Sequence, residues 1–437
     1  MRSKPRSAGY RRRDRAHLWH PFTPQSLWMD EEFPVIVRGR GSWLFDADGR
    51  RYLDGTSSLW CNLVGHANRE IDHAIVRQLR SLAHSTFLGA THPAAIELAE
   101  QLVELAPKGL TRVFYSDNGS TAMEVALKMA FQYWQQNGKP KRTTFVTFAE
   151  GYHGDTLGAV SAGAIPIFHD RFKPLLFPTI RLPLDERRVE ETLASLGAEI
   201  CAVCIEPLVQ GAGGMITHSP AFLKRVRELC TTHDVFLIAD EVMTGFGRTG
   251  TMFACDQATI TPDFLALSKG LTGGYLPLGA TLTTDRVYDG FLGDYASVRT
   301  FFHGHTYTGN PLGCAAALGM LRFLRRDETM KKLASKIERF ASRLRAFKGV
   351  AVRQVGLIAG IDLGPFPFEQ REGHRRVLRA RERGVLLRPL GNTIVAMPPL
   401  TISMKELDFL LSVVEEVVSG DAGRGGDPRD PRFGADG

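Results

Sequence analysis

Cysteine is scarce in this chain, with six among 437 residues, too few for a disulfide framework. No apolar run approaches the roughly 18 residues needed to cross a membrane. The basic N-terminus is not followed by an apolar segment of the secretory type. Internal repeats are lacking, and so is the lysine-containing loop pattern of nucleoside-triphosphate sites. No pair of CxxC or histidine motifs stands at zinc spacing, so no metal site is expected. Cys201 and Cys204 do form one CxxC, but the run Cys201–Ile205 is apolar and reads as a buried strand, where residues three apart point to opposite faces. The cysteines therefore read as reduced core residues of a cytoplasmic protein. Positive charge is also thinner than it looks. The net charge is +7, yet Arg2, Lys4, Arg6, Arg11, Arg12, Arg13 and Arg15 set against Asp14 place +6 of it in residues 1–15. A nucleic-acid-binding domain would carry its basic face on the fold itself. Neither nucleic acid nor membrane is an expected partner.

Both ends are expected to be disordered: residues 1–15, basic and without apolar periodicity, and residues 419–437, rich in Gly, Asp, Pro and Arg. Deleting the first is predicted to leave activity unchanged. Between the tails, apolar strands alternate with amphipathic helices. Strands are expected at 112–116, 144–148, 200–205, 235–239, 264–267 and 278–283, and helices at 120–137 and 220–233. This alternation predicts an α/β fold with a mostly parallel sheet. After Asn310 the texture changes to one long helix over 311–347 and then short strands between helices. The chain accordingly divides into an N-terminal segment (16–60), a large domain (61–315) and a smaller α+β domain (316–418). Three strand candidates between 33 and 54 are expected to pack on the smaller domain.

In open α/β sheets, ligands gather at the carboxyl ends of the strands. Four such ends carry suggestive residues. Gly119 and Ser120 open a helix and offer free N–H groups, a hydroxyl and a positive dipole end, which suits a phosphate; taken alone, an ordinary Asx-type N-cap explains them better. Tyr152 lies in the turn Glu150–Asp155, where an aromatic beside glycine can stack on a planar ring; a tight turn explains the pattern equally well. Asp240 follows five apolar residues, and a carboxylate so placed needs a partner: a cationic nitrogen, a metal or a helix N-terminus. Lys269 stands between a buried strand and a glycine-rich turn, where desolvation lowers its pKa and makes it a Schiff-base nucleophile. Together these four are what pyridoxal phosphate requires.

From His17 to Val418 the sequence resembles the class III pyridoxal-phosphate-dependent aminotransferases. The resemblance is carried by His17–Thr23, Asp54–Trp60, Tyr152–Asp155, Ile205–Met215, Asp240–Gly250, Phe302–Pro311 and Leu387–Gly391. It implies a fold type I transferase with a large domain, a smaller domain and a homodimeric active site. It implies Lys269 as covalent anchor and proton carrier, Asp240 on the pyridine nitrogen, Gly119 and Ser120 on the phosphate, and Tyr152 against the ring. Glu206 and His305 would border the cofactor, and Thr306 would reach the phosphate from the partner subunit. Phe22, Leu59, Trp60, Asp155 and Gly304 would contact substrate, and Arg388 would pair with its carboxylate. The WHPF and RPLG stretches point to the branch that aminates 8-amino-7-oxononanoate in biotin biosynthesis, with S-adenosylmethionine as donor. The best-known form of that branch has Tyr where this chain has Phe22 and Trp where it has Leu59. A subset that shares Phe and Leu implies lysine as an alternative donor. Aminotransferases of diamines and ω-amino acids form the neighbouring alternative.

Overall fold

The computed structural model describes residues 6–326 and 328–419. The expected disordered tail at 419–437 falls, beyond Ser419, outside these residues. The other expected tail is corrected. Ser7–His17 is a helix, and Ser7 is buried. Its composition hides the reason, because its anchors are polar. Arg11 Nε donates to the Phe33 carbonyl at 2.9 Å and Arg15 Nη2 to that of Glu31 at 2.9 Å. Asp14 accepts from Trp28 Nε1 at 2.8 Å. Arginine stems and guanidinium forks thus replace the apolar stripe by which an amphipathic helix is usually recognised.

Seven strands form the central sheet, in the order Leu110–Ser116, Gly279–Thr284, Phe264–Leu267, Phe236–Asp240, Ile200–Ile205, Thr144–Phe148 and Thr179–Leu182. Gly279–Thr284 runs antiparallel to both neighbours, and the remaining pairs are parallel. Strands such as Phe236–Asp240, apolar up to its terminal aspartate, suit a sheet covered by helices on both faces. Helix Gly119–Gln136 covers one face through Ala122, Val125, Ala126 and Ala130, against Phe236, Ile238 and Phe264. The edge strand Thr179–Leu182 has no sequence counterpart above, because its four residues TIRL are too short to show a pattern.

The CxxC reading needs one revision. Thr144 pairs with Ile200 and Phe145 with Ala202, so the ladder skips Cys201. That bulge breaks the alternation, and both cysteines end in the same apolar layer beneath Trp134. Burial pushes both thiols up.

A second sheet is antiparallel, ordered Ala351–Val355, Ile358–Asp362, Thr393–Ala396 and Arg388–Leu390. A third contains Ile36–Arg40, Trp43–Asp46 and Arg51–Asp54, extended in parallel by Val385–Leu386. The stretch Val385–Leu390 is therefore two strands serving two sheets, divided at Leu387. The expected helix over 311–347 is also two, Pro311–Arg326 and Thr329–Arg345. Glu328 adopts φ 52°, a left-handed backbone that no α-helix continues through.

Candidate active site

The carboxyl ends of five strands converge on a cavity of about 240 Å³. Its walls include Gly119, Ser120, Tyr152, Glu206, Asp240, Lys269 and Trp60. Seven of the residues singled out from sequence, drawn from segments up to 209 positions apart, thus meet in one place.

The helix Gly119–Gln136 begins with a capping box. Asn118 accepts from Thr121 N at 3.0 Å, and Thr121 Oγ1 accepts from Asn118 N at 3.0 Å. The first-turn N–H groups of Gly119 and Ser120 remain at the positive end of the helix. A Cβ at Gly119 would lie 2.6 Å from Val242 Cγ1, so only glycine allows the approach. At Gly154 (φ +126°) a Cβ would fall 2.2 Å from Ser120 Oγ. Both glycines keep a cradle open that side chains would fill.

Asp240 is buried. Its Oδ1 accepts from Val242 N at 3.1 Å, and its Oδ2 lies 2.8 Å from His153 Nδ1. Burial disfavours protonation of His153, but the Asp240 hydrogen bond and charge outweigh it, and its pKa rises. Asp240 therefore has a histidine partner and one face toward the cavity. The helix-N-terminus role considered for it belongs to its neighbour. Glu241 accepts from Ala254 N at 2.7 Å and Cys255 N at 2.8 Å, and burial raises its pKa to about 7. His153 was legible only as part of a turn motif. Its partner is 87 residues away, and no local pattern announces that pairing.

Glu206 accepts from Tyr152 N at 2.9 Å and Gly211 N at 2.8 Å, tying the Tyr152 turn to the next strand end. Burial raises its pKa to about 7. Tyr152 donates its hydroxyl to Asp155 at 2.8 Å. Burial and this carboxylate hold the phenol protonated. Lys269 Nζ sits 5.1 Å from the Trp60 ring centroid. Burial lowers its pKa, while Asp240 and Glu206 partly restore it. The Trp60 indole nitrogen is itself buried and has no hydrogen-bond partner among the described residues.

Other predicted site residues lie apart. Phe22 and Arg388 line a separate cavity between the N-terminal segment and the Arg388–Asn392 hairpin. Phe22 reaches toward Tyr152 through Phe168, with ring centroids 5.4 and 6.3 Å apart. Burial lowers the Arg388 pKa, and Tyr152 raises it. Leu59 is exposed and lines neither cavity. Gly304, His305 and Thr306 stay outside the Lys269 cavity of their own chain. His305 pairs with Asp117 at 2.7 Å instead.

A cavity with a desolvated amine, the buried carboxylate of Asp240, an orphaned indole N–H and a glycine-lined helix N-terminus fits pyridoxal phosphate. The amine suits its aldehyde, the carboxylate its ring nitrogen, and the helix N-terminus its phosphate.

Residues 26–418 match the family described as Aminotransferase class-III. The chain is 50% identical over 435 residues to an adenosylmethionine-8-amino-7-oxononanoate aminotransferase of Geobacter sulfurreducens, covering 93% of this chain and 96% of that one. A crystal structure of the enzyme of that name from Methanocaldococcus jannaschii is similar at TM-score 0.92 and 40% identity, covering 94% of this chain and 98% of the other. An amine transaminase from an uncultivated Pseudomonas species, solved in a PLP-bound form, is similar at TM-score 0.86 and 37% identity, over 92% and 98% of the two chains. The chain thus belongs to the class III aminotransferases, pyridoxal-phosphate-dependent transaminases of fold type I.

Proposed function

We propose that this protein transfers an amino group from S-adenosylmethionine to 8-amino-7-oxononanoate, forming 7,8-diaminononanoate in biotin biosynthesis. The observation that carries this reading is Arg388. Among the described residues no acidic side chain lies within ion-pair distance of this partly buried guanidinium. It borders a cavity adjoining the Tyr152 side of the site, as a long keto acid with a terminal carboxylate requires. The names of the relatives in Geobacter and Methanocaldococcus support the same substrates.

Bound pyridoxal phosphate supplies an electron-accepting ring that stores the amino group between two half-reactions. The chain supplies everything else. Lys269 Nζ, whose pKa burial lowers, is the covalent anchor and then takes and returns the proton at the substrate carbon. Asp240, braced by His153, holds the ring-nitrogen proton. Gly119 and Ser120 hold the phosphate, and Tyr152 covers the ring. Glu206 fixes the Tyr152 turn. Phe22 and Trp60 border the substrate; Leu59, Asp155 and Gly304, which line neither cavity, meet it in this reading only at its margins.

The working unit in this proposal is a homodimer, in which His305 and Thr306 complete the partner's phosphate site. Two features support it: the Gly304–Thr306 segment stands off its own cavity, and Leu88, Tyr295, Phe302 and Tyr307 are exposed apolar residues. We place it in the cytoplasm, where its six free cysteines stay reduced. No helix among the described residues is long and apolar enough to cross a membrane.

The test adds one donor at a time to the PLP-loaded enzyme and follows the cofactor spectrum, then adds 8-amino-7-oxononanoate and measures 7,8-diaminononanoate. Conversion with S-adenosylmethionine supports the proposal. Conversion with lysine alone replaces the donor and keeps the acceptor. Turnover with 2-oxoglutarate but not with the oxononanoate would refute the substrate reading. Lys269→Ala must abolish the half-reaction with every donor.

A further inference from the structure

Trp60 is carried on an unusual piece of backbone. Ser57, Ser58, Leu59 and Trp60 have φ of 49°, 47°, 70° and 71°, four consecutive left-handed residues with no glycine among them. Trp60 N donates to Thr56 O at 2.8 Å and Cys61 N to Ser57 O at 3.0 Å, closing a left-handed turn. Side chains of L-residues oppose this conformation, so it persists only where surrounding contacts over-determine it.

Those contacts lead away from the cavity. Ser57 Oγ donates to Met397 O at 2.7 Å. Ser58 donates twice to Asp54, from N to Oδ1 at 2.8 Å and from Oγ to Oδ2 at 2.7 Å. Asp54 is buried, and its Oδ2 also meets His66 Nε2 at 3.0 Å. His66 Nδ1 lies 2.7 Å from Asn62 Nδ2, which can only donate. With the amide so oriented, Nδ1 accepts and Nε2 donates to Asp54. The His66 backbone exchanges hydrogen bonds with Gly41 at 2.8 and 2.9 Å. Its ring fills the space over Gly39, where a Cβ would stand 2.6 Å from the ring carbon Cγ. The histidine is therefore wedged against the N-terminal sheet and aimed, through one carboxylate, at the turn beneath Lys269.

We propose that His66 is a positioning residue: through Asp54 it locks the left-handed turn 57–60 and so sets where Trp60 stands against Lys269 and the bound substrate. His66 lines no part of the cavity and touches no reacting group; it acts only through Asp54 and Asn62. The proposal rests on the Lys269 cavity being the reaction site and not on which substrates it takes.

The test compares the PLP-loaded wild type with His66→Phe, which fills the ring's space and removes its donor, and with His66→Gln, whose amide can still donate to Asp54. Hydrogen exchange of the amides at 58–62 should quicken by about tenfold or more in His66→Phe, the effect of losing one well-formed hydrogen bond. The remaining sheet amides should stay unchanged, and His66→Gln should recover most of the protection. KM for the amino donor should rise with kcat little altered, because Lys269 and Asp240 are untouched. Unchanged exchange at 58–62 overturns the proposal, as does a uniform loss of protection through the whole chain. If His66→Phe does not fold, Gly39→Ala keeps every hydrogen-bonding group and displaces only the ring. It must then show the same local pattern, and its absence counts equally against the proposal. The exchange readout needs no turnover, so it stands even if the donor or acceptor differs from the proposed ones.

Discussion

Asp14 offers a sharp perturbation, because composition and structure predict opposite results for its helix. Its carboxylate accepts from Trp28 Nε1 at 2.8 Å and meets His20 Nε2 at 3.0 and 3.1 Å. The His20 and Trp28 rings pack at 4.1 Å, and Trp28 stacks on Phe33 at 3.8 Å. Between these anchors runs the loop that carries Phe22, itself at φ 50°. Asp14→Ala removes both hydrogen bonds and leaves the Trp28 indole N–H without its acceptor. At about 1–3 kcal/mol for an orphaned, partly buried donor, plus the lost histidine contact, the local cost is roughly 3 kcal/mol. That corresponds to about a hundredfold greater population of an open 18–28 segment. The helix is hydrogen-bonded to residues 28–48 and not to the central sheet, so the global melting temperature should move little. Hydrogen exchange over 18–28 should quicken by about two orders of magnitude. With Phe22 no longer held, kcat/KM should fall at least about tenfold, mainly through KM. Deleting residues 1–15 should do at least as much. Unchanged exchange and unchanged kcat/KM in both variants would refute the structural reasoning and restore the view of a dispensable tail.

Arg388→Ala should raise KM for 8-amino-7-oxononanoate about 10- to 100-fold with kcat nearly constant, as expected for one charge-assisted carboxylate pairing; an unchanged KM removes Arg388 from the carboxylate site. His153→Leu leaves buried Asp240 Oδ2 without its donor, at a cost of about 3–5 kcal/mol for an unpaired buried charge. PLP should then dialyse out far faster than from wild type, and equal retention would disprove the bracing role. Glu241 has a folded pKa near 7 against an ordinary value of 4.5, so its contribution to stability is complete below pH 4.5 and is lost as pH rises through 7. The loss amounts to about 3 kcal/mol. Glu241→Gln should flatten the decline in denaturation midpoint between pH 5 and pH 8, and an unaltered slope would place the titration elsewhere.

Six of the seven strands of the central sheet, and the helix covering it, were legible because each is a run of consecutive residues whose apolar pattern reports its own burial; Thr179–Leu182 is too short to do so. Val235–Ala239 and the helix after Gly119 are examples, and the order of motifs from His17 to Leu387 was enough to identify the family. Chemistry attached to a strand end was legible for the same reason: Asp240 and Lys269 each follow an apolar run that must be buried. What stayed hidden depends on partners far apart in the chain. The Ser7–His17 helix is held by arginines capping carbonyls at 31 and 33, and polar anchoring leaves no periodic signature. The bulge at Cys201 is a property of its pairing with Thr144–Phe148 and not of its own residues. His153 gains its role from Asp240, 87 positions on, and the left-handed turn under Trp60 from Asp54, His66 and Met397. Apolar periodicity is a local record of burial. Hydrogen-bond geometry and strain are set by which segments the fold brings within about 3 Å of each other, and no single segment records that.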